Sequence, residues 1–270
     1  AEAFRLTGDR ELAEAARGIL DAMLLDFRLE NGAFASSFDA DSGGEEGTYY
    51  VWSAEQIDEL FGEADANLVK SALGISAEGN FEGGMTVLSK AKTSIELAQE
   101  FKLGPPQVQK TLERALGILV EKRASRVPPK RDDKVILGWN ATAISALAKG
   151  AVALRDDRYR RAAEAAIARL REEKLVSPAR FSRRLAGGTS DHPAALADCA
   201  LYLKAVLDTY EASFDPALVE HARDVAQWIE RDFADTPRAP ESGETESEET
   251  AGPGETADGG AYYSTPAGIE

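Results

Sequence analysis

Residues from which metal and redox centres are built are scarce in this sequence: one cysteine and two histidines in 270 residues. The lone thiol, Cys199, excludes an internal disulfide and a cysteine-based zinc site. Set among Ala197, Ala200, Leu201 and Leu203, it reads as a small buried apolar residue. His192 and His221 are too few for a multi-histidine metal site, so no metal and no cofactor is expected. No Gly-rich loop ending in Lys-Ser/Thr is present, which argues against nucleotide binding.

Positive charge is in deficit too. Asp and Glu number 47 against 31 Lys and Arg, a net charge of −16. Nucleic acid and anionic membranes both demand a basic face, so neither is expected as a partner. The same balance suits a salt-adapted organism and an ordinary acidic cytosolic protein equally. No apolar run reaches the ~18 residues of a membrane-spanning helix, and no signal peptide is visible; the expected location is the cytoplasm. An initiator Met is missing and the chain opens inside a helical pattern, so it reads as a piece of a longer protein.

Amphipathic helix is what the sequence has in quantity. Asp9 caps a helix in which Leu12, Ala16, Ile19, Met23 and Phe27 recur at the spacing of one buried face. Ala33–Phe38 reads as extended, and residues 39–47 as an acidic loop. Thr48–Trp52 reads as a short strand, and Ser53 with Gln56 forms a capping box that opens the next helix. Further helices are predicted near 63–73, 93–102, 105–123, 139–155, 157–173, 192–212 and 215–234, the last announced by Asp215-Pro216. Residues 236–258 are Glu, Ser, Thr, Gly and Pro, too polar to pack, and read as a disordered acidic loop.

A unit of turn, amphipathic helix and short Gly/aromatic/Ser extension recurs. It runs from Thr7 to Ser36, from Arg155 to Ser182, and from Phe214 to the Gly259–Ser264 segment. Short turns make adjacent helices antiparallel hairpins, and repeated hairpins bury their apolar faces by stacking on neighbours. The expected fold is all-α. Residues 1–270 form one domain, part of an (α/α) six-hairpin toroid, with short β extensions gathered at the cleft end.

Three motifs carry a resemblance. Asp39-Ala40-Asp41-Ser42 through Glu46-Gly47-Thr48-Tyr49-Tyr50-Val51-Trp52 is the first, Gly79-Asn80-Phe81-Glu82-Gly83 the second, and Asp132-Asp133-Lys134 through Trp139-Asn140 the third. Together they resemble the YyaL-like proteins, the family related to spermatogenesis-associated protein 20. The resemblance covers nearly the whole chain. It implies a thioredoxin-like domain upstream as a partner and a glycosidase-like helical toroid, of which this chain is the early-to-middle part. Similar toroids serve glycosidases and sugar 2-epimerases, and fold alone does not assign chemistry. The chain departs from the family at Asp198-Cys199-Ala200, where relatives tend to have Asp-Tyr-Ala, and at Leu137-Gly138, which replaces a more polar pair.

The candidate site follows from these stretches. Glycoside hydrolysis needs a carboxylic acid and a carboxylate across the scissile bond. Asp39, Asp41, Asp132 and Asp133 are the candidate catalytic carboxylates. Trp139 offers a flat face for a sugar ring, and Asn140, Asn80, Glu82 and Lys134 offer hydrogen bonds to its hydroxyls. The expected ligand is a saccharide, and residues 39–47 and 132–140 are expected to line one cleft. Other readings stand beside this one. Asp39 and Asp41 could cap turns, or begin a calcium loop whose next ligand is replaced by Gly43. Asp132–Lys134 could be an ion-pair cluster with Trp139 in the core and Asn140 capping the helix. Residues 79–83 could be a tight turn. Epimerases of this general fold use paired histidines, and no second pocket histidine is evident here. A different function class, a non-catalytic module binding clients for the thioredoxin-like domain, fits the same fold.

Overall fold

The structure, a computed structural model, describes residues 1–173, 175–186 and 192–234. The expected acidic loop at 236–258 and the Gly259–Ser264 extension lie outside the described residues. The helices are α1 (Glu2–Thr7), α2 (Arg10–Ala22), α3 (Ala54–Leu60), α4 (Glu63–Leu73), α5 (Ser94–Phe101), α6 (Pro105–Ala124), α7 (Leu137–Leu154), α8 (Asp157–Glu172), α9 (Leu196–Ser213) and α10 (Pro216–Phe233). The architecture is all-α. Consecutive helices pair as antiparallel hairpins, the building block of an (α/α) toroid, and among the described residues strands are confined to two-residue pairs. The described residues divide into two compact units, Ala1–Ser37 with those from Asp132 onward, and Phe38–Arg131.

In the first unit α7 is the central helix, packed against α1, α2, α8 and α9. It is rich in Ala and Gly, and those small residues let neighbouring backbones come close. Gly150 sits beneath Leu20 of α2, where a Cβ would strike the leucine side chain. This seat sets the buried face of α2. Of the face read from the spacing, Ala16 is buried and Met23 and Phe27 pack partly buried on the core, but Leu12 and Ile19 are exposed, Ile19 at 62%, and Leu20 is buried in their place. The end of that helix also departs from expectation, since Met23–Phe27 form a π turn.

The repeat shows at its turns. Gly8, Arg155 and Phe214 each adopt a left-handed backbone at a helix end, with φ of 70°, 51° and 55°. Each is followed by an Asp whose Oδ1 accepts an N–H two residues on: Glu11 N to Asp9 (2.9 Å), Arg158 N to Asp156 (3.1 Å), Ala217 N to Asp215 (3.0 Å). One device thus reverses the chain three times, satisfying backbone groups that helix ends leave unpaired.

In the second unit α3–α4 and α5–α6 form two hairpins. Thr48–Trp52 is not a strand: only Trp52 bridges, to Thr86, and the rest curls. Arg126 is the cause. Its Nη1 donates to the carbonyls of Thr48 (3.0 Å), Tyr49 (3.1 Å) and Val51 (2.8 Å), and its guanidinium lies 4.0 Å from the Trp52 ring centroid. Three carbonyls drawn to one charge cannot point alternately outward as a strand requires. The Ser53–Gln56 capping box forms as read.

Candidate functional site

In the first unit the start of α7 is stitched to the segment Phe34–Ser36. Asn140 is buried, 1% exposed, and its carboxamide is fully engaged. Oδ1 accepts from Phe34 N (2.8 Å), while Nδ2 donates to Phe34 O (2.9 Å) and Ile136 O (3.1 Å). Two residues along, Ser36 N and Ser36 Oγ both donate to Asp132 O, at 3.0 and 3.1 Å. Asp132 and Asn140 therefore flank one extended segment, and Asn140 is spent on holding it. Trp139, its neighbour on α7, is 59% exposed and so is not a core residue. An indole standing free in the first turn of a buried helix is a surface for a flat apolar ligand face.

Charge at this end is organised by Lys134. Its Nζ lies 2.6 Å from Asp132 Oδ2, and its N–H donates to Asp132 Oδ1 (3.2 Å). The hydrogen bond from the Lys134 side chain, with its charge, holds the Asp132 carboxyl below its ordinary range. Asp132 is thus ionised at neutral pH, suited to act as a base or to stabilise positive charge but not as the acid. Asp133 is the adjacent carboxylate.

Two further residues belong here that the sequence alone did not single out. Val135–Ile136 pairs antiparallel with Arg184–Leu185, Val135 opposite Leu185, and Leu137 N donates to Arg183 O (2.9 Å). This brings Arg183 to the α7 start, with Nε 3.6 Å from Asp198 Oδ2. Asp198 is buried in the first turn of α9 and also accepts from Ala195 N (3.1 Å). A Cβ on Gly138 would come within 2.6 Å of Asp198 Oδ1, so the glycine makes room for the carboxylate. Gly138→Ala is expected to cost about 2 kcal/mol by forcing that carboxylate aside. A denaturant midpoint unchanged from the parent would mean Asp198 moves freely.

The remaining candidates belong to the second unit. Asp41–Ser42 pairs antiparallel with Glu45–Glu46 across Gly43-Gly44, both at positive φ, a tight hairpin whose acidic side chains are exposed, as is Asp39. Asn80 closes a turn: Oδ1 accepts from Val87 N (2.7 Å) and Nδ2 donates to Val87 O (3.1 Å). Gly79 is required there, because its φ is 65° and a Cβ would collide with Met85 O. Glu82 is exposed on the same turn. Phe81 brings turn and hairpin together, its ring lying 3.1 Å from a Cβ placed on Gly47. Among the described residues no three His, Cys, Asp or Glu side chains are grouped to hold a metal ion. None of their helices is long and apolar enough to cross a membrane.

No protein-family model matches the chain. Spermatogenesis-associated protein 20 of Homo sapiens is 29% identical over 255 aligned residues, which take in 82% of this chain and 32% of that protein. This chain is similar in sequence to spermatogenesis-associated protein 20. The Mus musculus protein of that name matches at 29% over the same shares. An uncharacterized protein of Caenorhabditis elegans is 26% identical over 152 residues, 48% of this chain and 21% of its own length. The chain spans about a third of the spermatogenesis-associated protein 20 sequences it matches. Among solved structures, an inactive variant of alpha-1,6-mannanase from Salegentibacter sp. HEL1_6, in complex with alpha-1,6-mannotriose, aligns over 83% of this chain and 52% of its own. Its identity is 17% and its TM-score 0.29.

Proposed function

We propose that the chain is a carbohydrate-binding helical domain, glycosidase-like in architecture, of a longer protein that also carries a thioredoxin-like domain. The observation that carries this reading is the exposed Trp139 indole in the first turn of α7, the helix reached directly from the segment that holds the ionised Asp132 and its Lys134 partner. A sugar ring stacks its C–H face on an indole and places its hydroxyls on flanking charged groups. Asp132 acts as the base or stabilising charge, and Asp133 and Asp198 are the carboxyls from which the acid of a two-carboxylate hydrolysis is drawn. Asn140 positions the segment and does not contact ligand. In the second unit Asp39 and Asp41 present carboxylates to solvent, to be probed with their own variants.

A second reading rests on a different feature. An apolar cavity of about 420 Å³ in the second unit is lined by Tyr50, Trp52, Val87, Leu116 and Val120. Tyr50, Val87, Leu116 and Val120 are each exposed at its mouth. An open apolar groove of this kind accepts an extended hydrophobic polypeptide segment, as a client-binding module would.

One experiment separates the two. The full-length protein is titrated with neutral oligosaccharides and with an unfolded reduced polypeptide, in parent, Asp132→Asn and Trp139→Ala forms. Saccharide binding weakened about tenfold or more by both substitutions supports the carbohydrate reading. Polypeptide binding indifferent to both, with no saccharide affinity, would sink it in favour of the client module.

A further inference from the structure

The first unit holds a cavity that the site above does not use. It has a volume of about 570 Å³ and lies between the C-terminal turn of α8, the Val176–Pro178 segment and the face of α10. Its wall combines Arg171, Glu172, His221, Asp224 and Trp228. The decisive residue is His221, only 4% exposed, whose Nε2 lies 2.9 Å from the hydroxyl of fully buried Tyr202.

Bookkeeping of protons fixes the tautomer. Burial keeps the imidazole neutral, with its pKa pushed down to about 4, the Arg171 charge adding to the effect. Were Nε2 to carry the proton, the Tyr202 hydroxyl would be left a buried donor with no acceptor, which costs free energy. Tyr202 therefore donates to Nε2, and the imidazole proton sits on Nδ1. Among the described residues the ring's hydrogen bond is the one at Nε2, and Nδ1 has no partner there. A polar side chain more than nine-tenths buried thus offers an unused donor on a residue that lines the cavity. Trp228 stands edge-on to it, ring centroids 6.2 Å apart, and is itself braced by Phe181 at 6.0 Å.

The composition of the wall selects the ligand. Glu172 and Asp224 repel an anion, and Arg171 repels a cation. An apolar molecule would desolvate all three without return. Hydroxyl groups both donate and accept, so a neutral polyol satisfies the guanidinium, the carboxylates and the imidazole N–H together. Trp228 supplies a flat apolar partner for the other side of a ring. The volume lies within the range of small-molecule sites, ~300–1,000 Å³. We propose that this cavity binds a neutral saccharide ring, stacked on Trp228 with its hydroxyls held by His221 Nδ1, Arg171 and Asp224. It is a second sugar site, independent of the one at Trp139.

The test is ligand-observed saturation-transfer NMR on the full-length protein with the methyl glycosides of glucose, mannose and galactose and with their α-linked trisaccharides. The variants are Trp139→Ala, Arg171→Ala and Trp228→Leu, with folding checked by circular dichroism. Saccharide saturation is expected to persist in Trp139→Ala. Apparent affinity is expected to fall about tenfold in Arg171→Ala and Trp228→Leu. Because the Arg171 side chain is exposed, its variant carries the result even if Trp228→Leu unfolds. Loss of binding in Trp139→Ala alone would support the first site and overturn the second. Undiminished binding in Arg171→Ala, no binding of any sugar, or binding of free amino acids in their place would also overturn it.

Discussion

Replacing Asn140 by alanine is expected to lower the unfolding free energy by about 3 kcal/mol, one of the largest effects available from a single polar side chain in this protein. The carboxamide satisfies both backbone groups of Phe34, a residue 3% exposed, and the Ile136 carbonyl. Water cannot readily replace it, so an N–H and carbonyls would be left without partners in the core. Asn140→Asp is expected to do no better, because a carboxylate accepts but cannot donate to the two carbonyls. Denaturant unfolding of the three forms measures this. A loss below about 1 kcal/mol for both variants would show that the Phe34 segment holds without the amide. The same pair informs the site: if Asn140 only positions, ligand affinity should fall in proportion to stability and recover as temperature is lowered.

The second large effect is acid destabilisation traced to His221. Its pKa is about 4 in the folded state against an ordinary 6.5. Below 6.5 the unfolded chain takes up a proton that the native imidazole refuses. Stability is therefore intact above 6.5 and is lost as pH falls toward 4, by about 3 kcal/mol at most. Arg171 across the cavity deepens the depression, Asp224 on the same helix opposes it, and Tyr202 holds the neutral form from α9. Carboxylates titrate at the lower end of the same window, so the measure is a difference. Unfolding free energy against pH is compared for the parent and His221→Gln, which keeps an acceptor for Tyr202. Parallel curves between pH 6.5 and 4 would refute the assignment.

Much of the fold could be read beforehand because its signals are local. Asp215-Pro216 announced α10, and Asp215 caps it with Pro216 in the first turn. Ser53 and Gln56 close their box. The boundaries of α4, α6 and α8 fell within a residue or so of the predicted ones. What escaped depends on contacts distant in sequence. Leu12 and Ile19 match the helical period as well as Leu20 does, and only Gly150 on α7 chooses among them. The curl at Thr48–Val51 is imposed by Arg126, some seventy residues later. Helix α9 begins at Leu196 and not at His192, because Pro193 bridges Ser182 in extended form.

The candidate site was legible to a similar degree. Residue type pointed to Asp132, Trp139 and Asn140, and these do cluster at one helix start. Period and spacing could not separate the exposed indole from the buried amide beside it. Nor could they reveal Asp198 or Arg183, which reach that place through a strand pair and the opening turn of another helix. His221 on its repeat helix looked only structural, since its burial and its unused nitrogen depend on Tyr202.

The division of the chain also bears on the order in which it acquires structure. The second unit, Phe38–Arg131, is one continuous stretch, whereas the first is assembled from two. During synthesis α1 and α2 emerge before the second unit, yet the helix that covers them begins at Leu137. Leu20 and Phe34 therefore wait, uncovered, while the whole second unit is made. That interval is when the nascent chain is most prone to aggregate and most in need of a chaperone, and the inserted unit is free to complete itself within it.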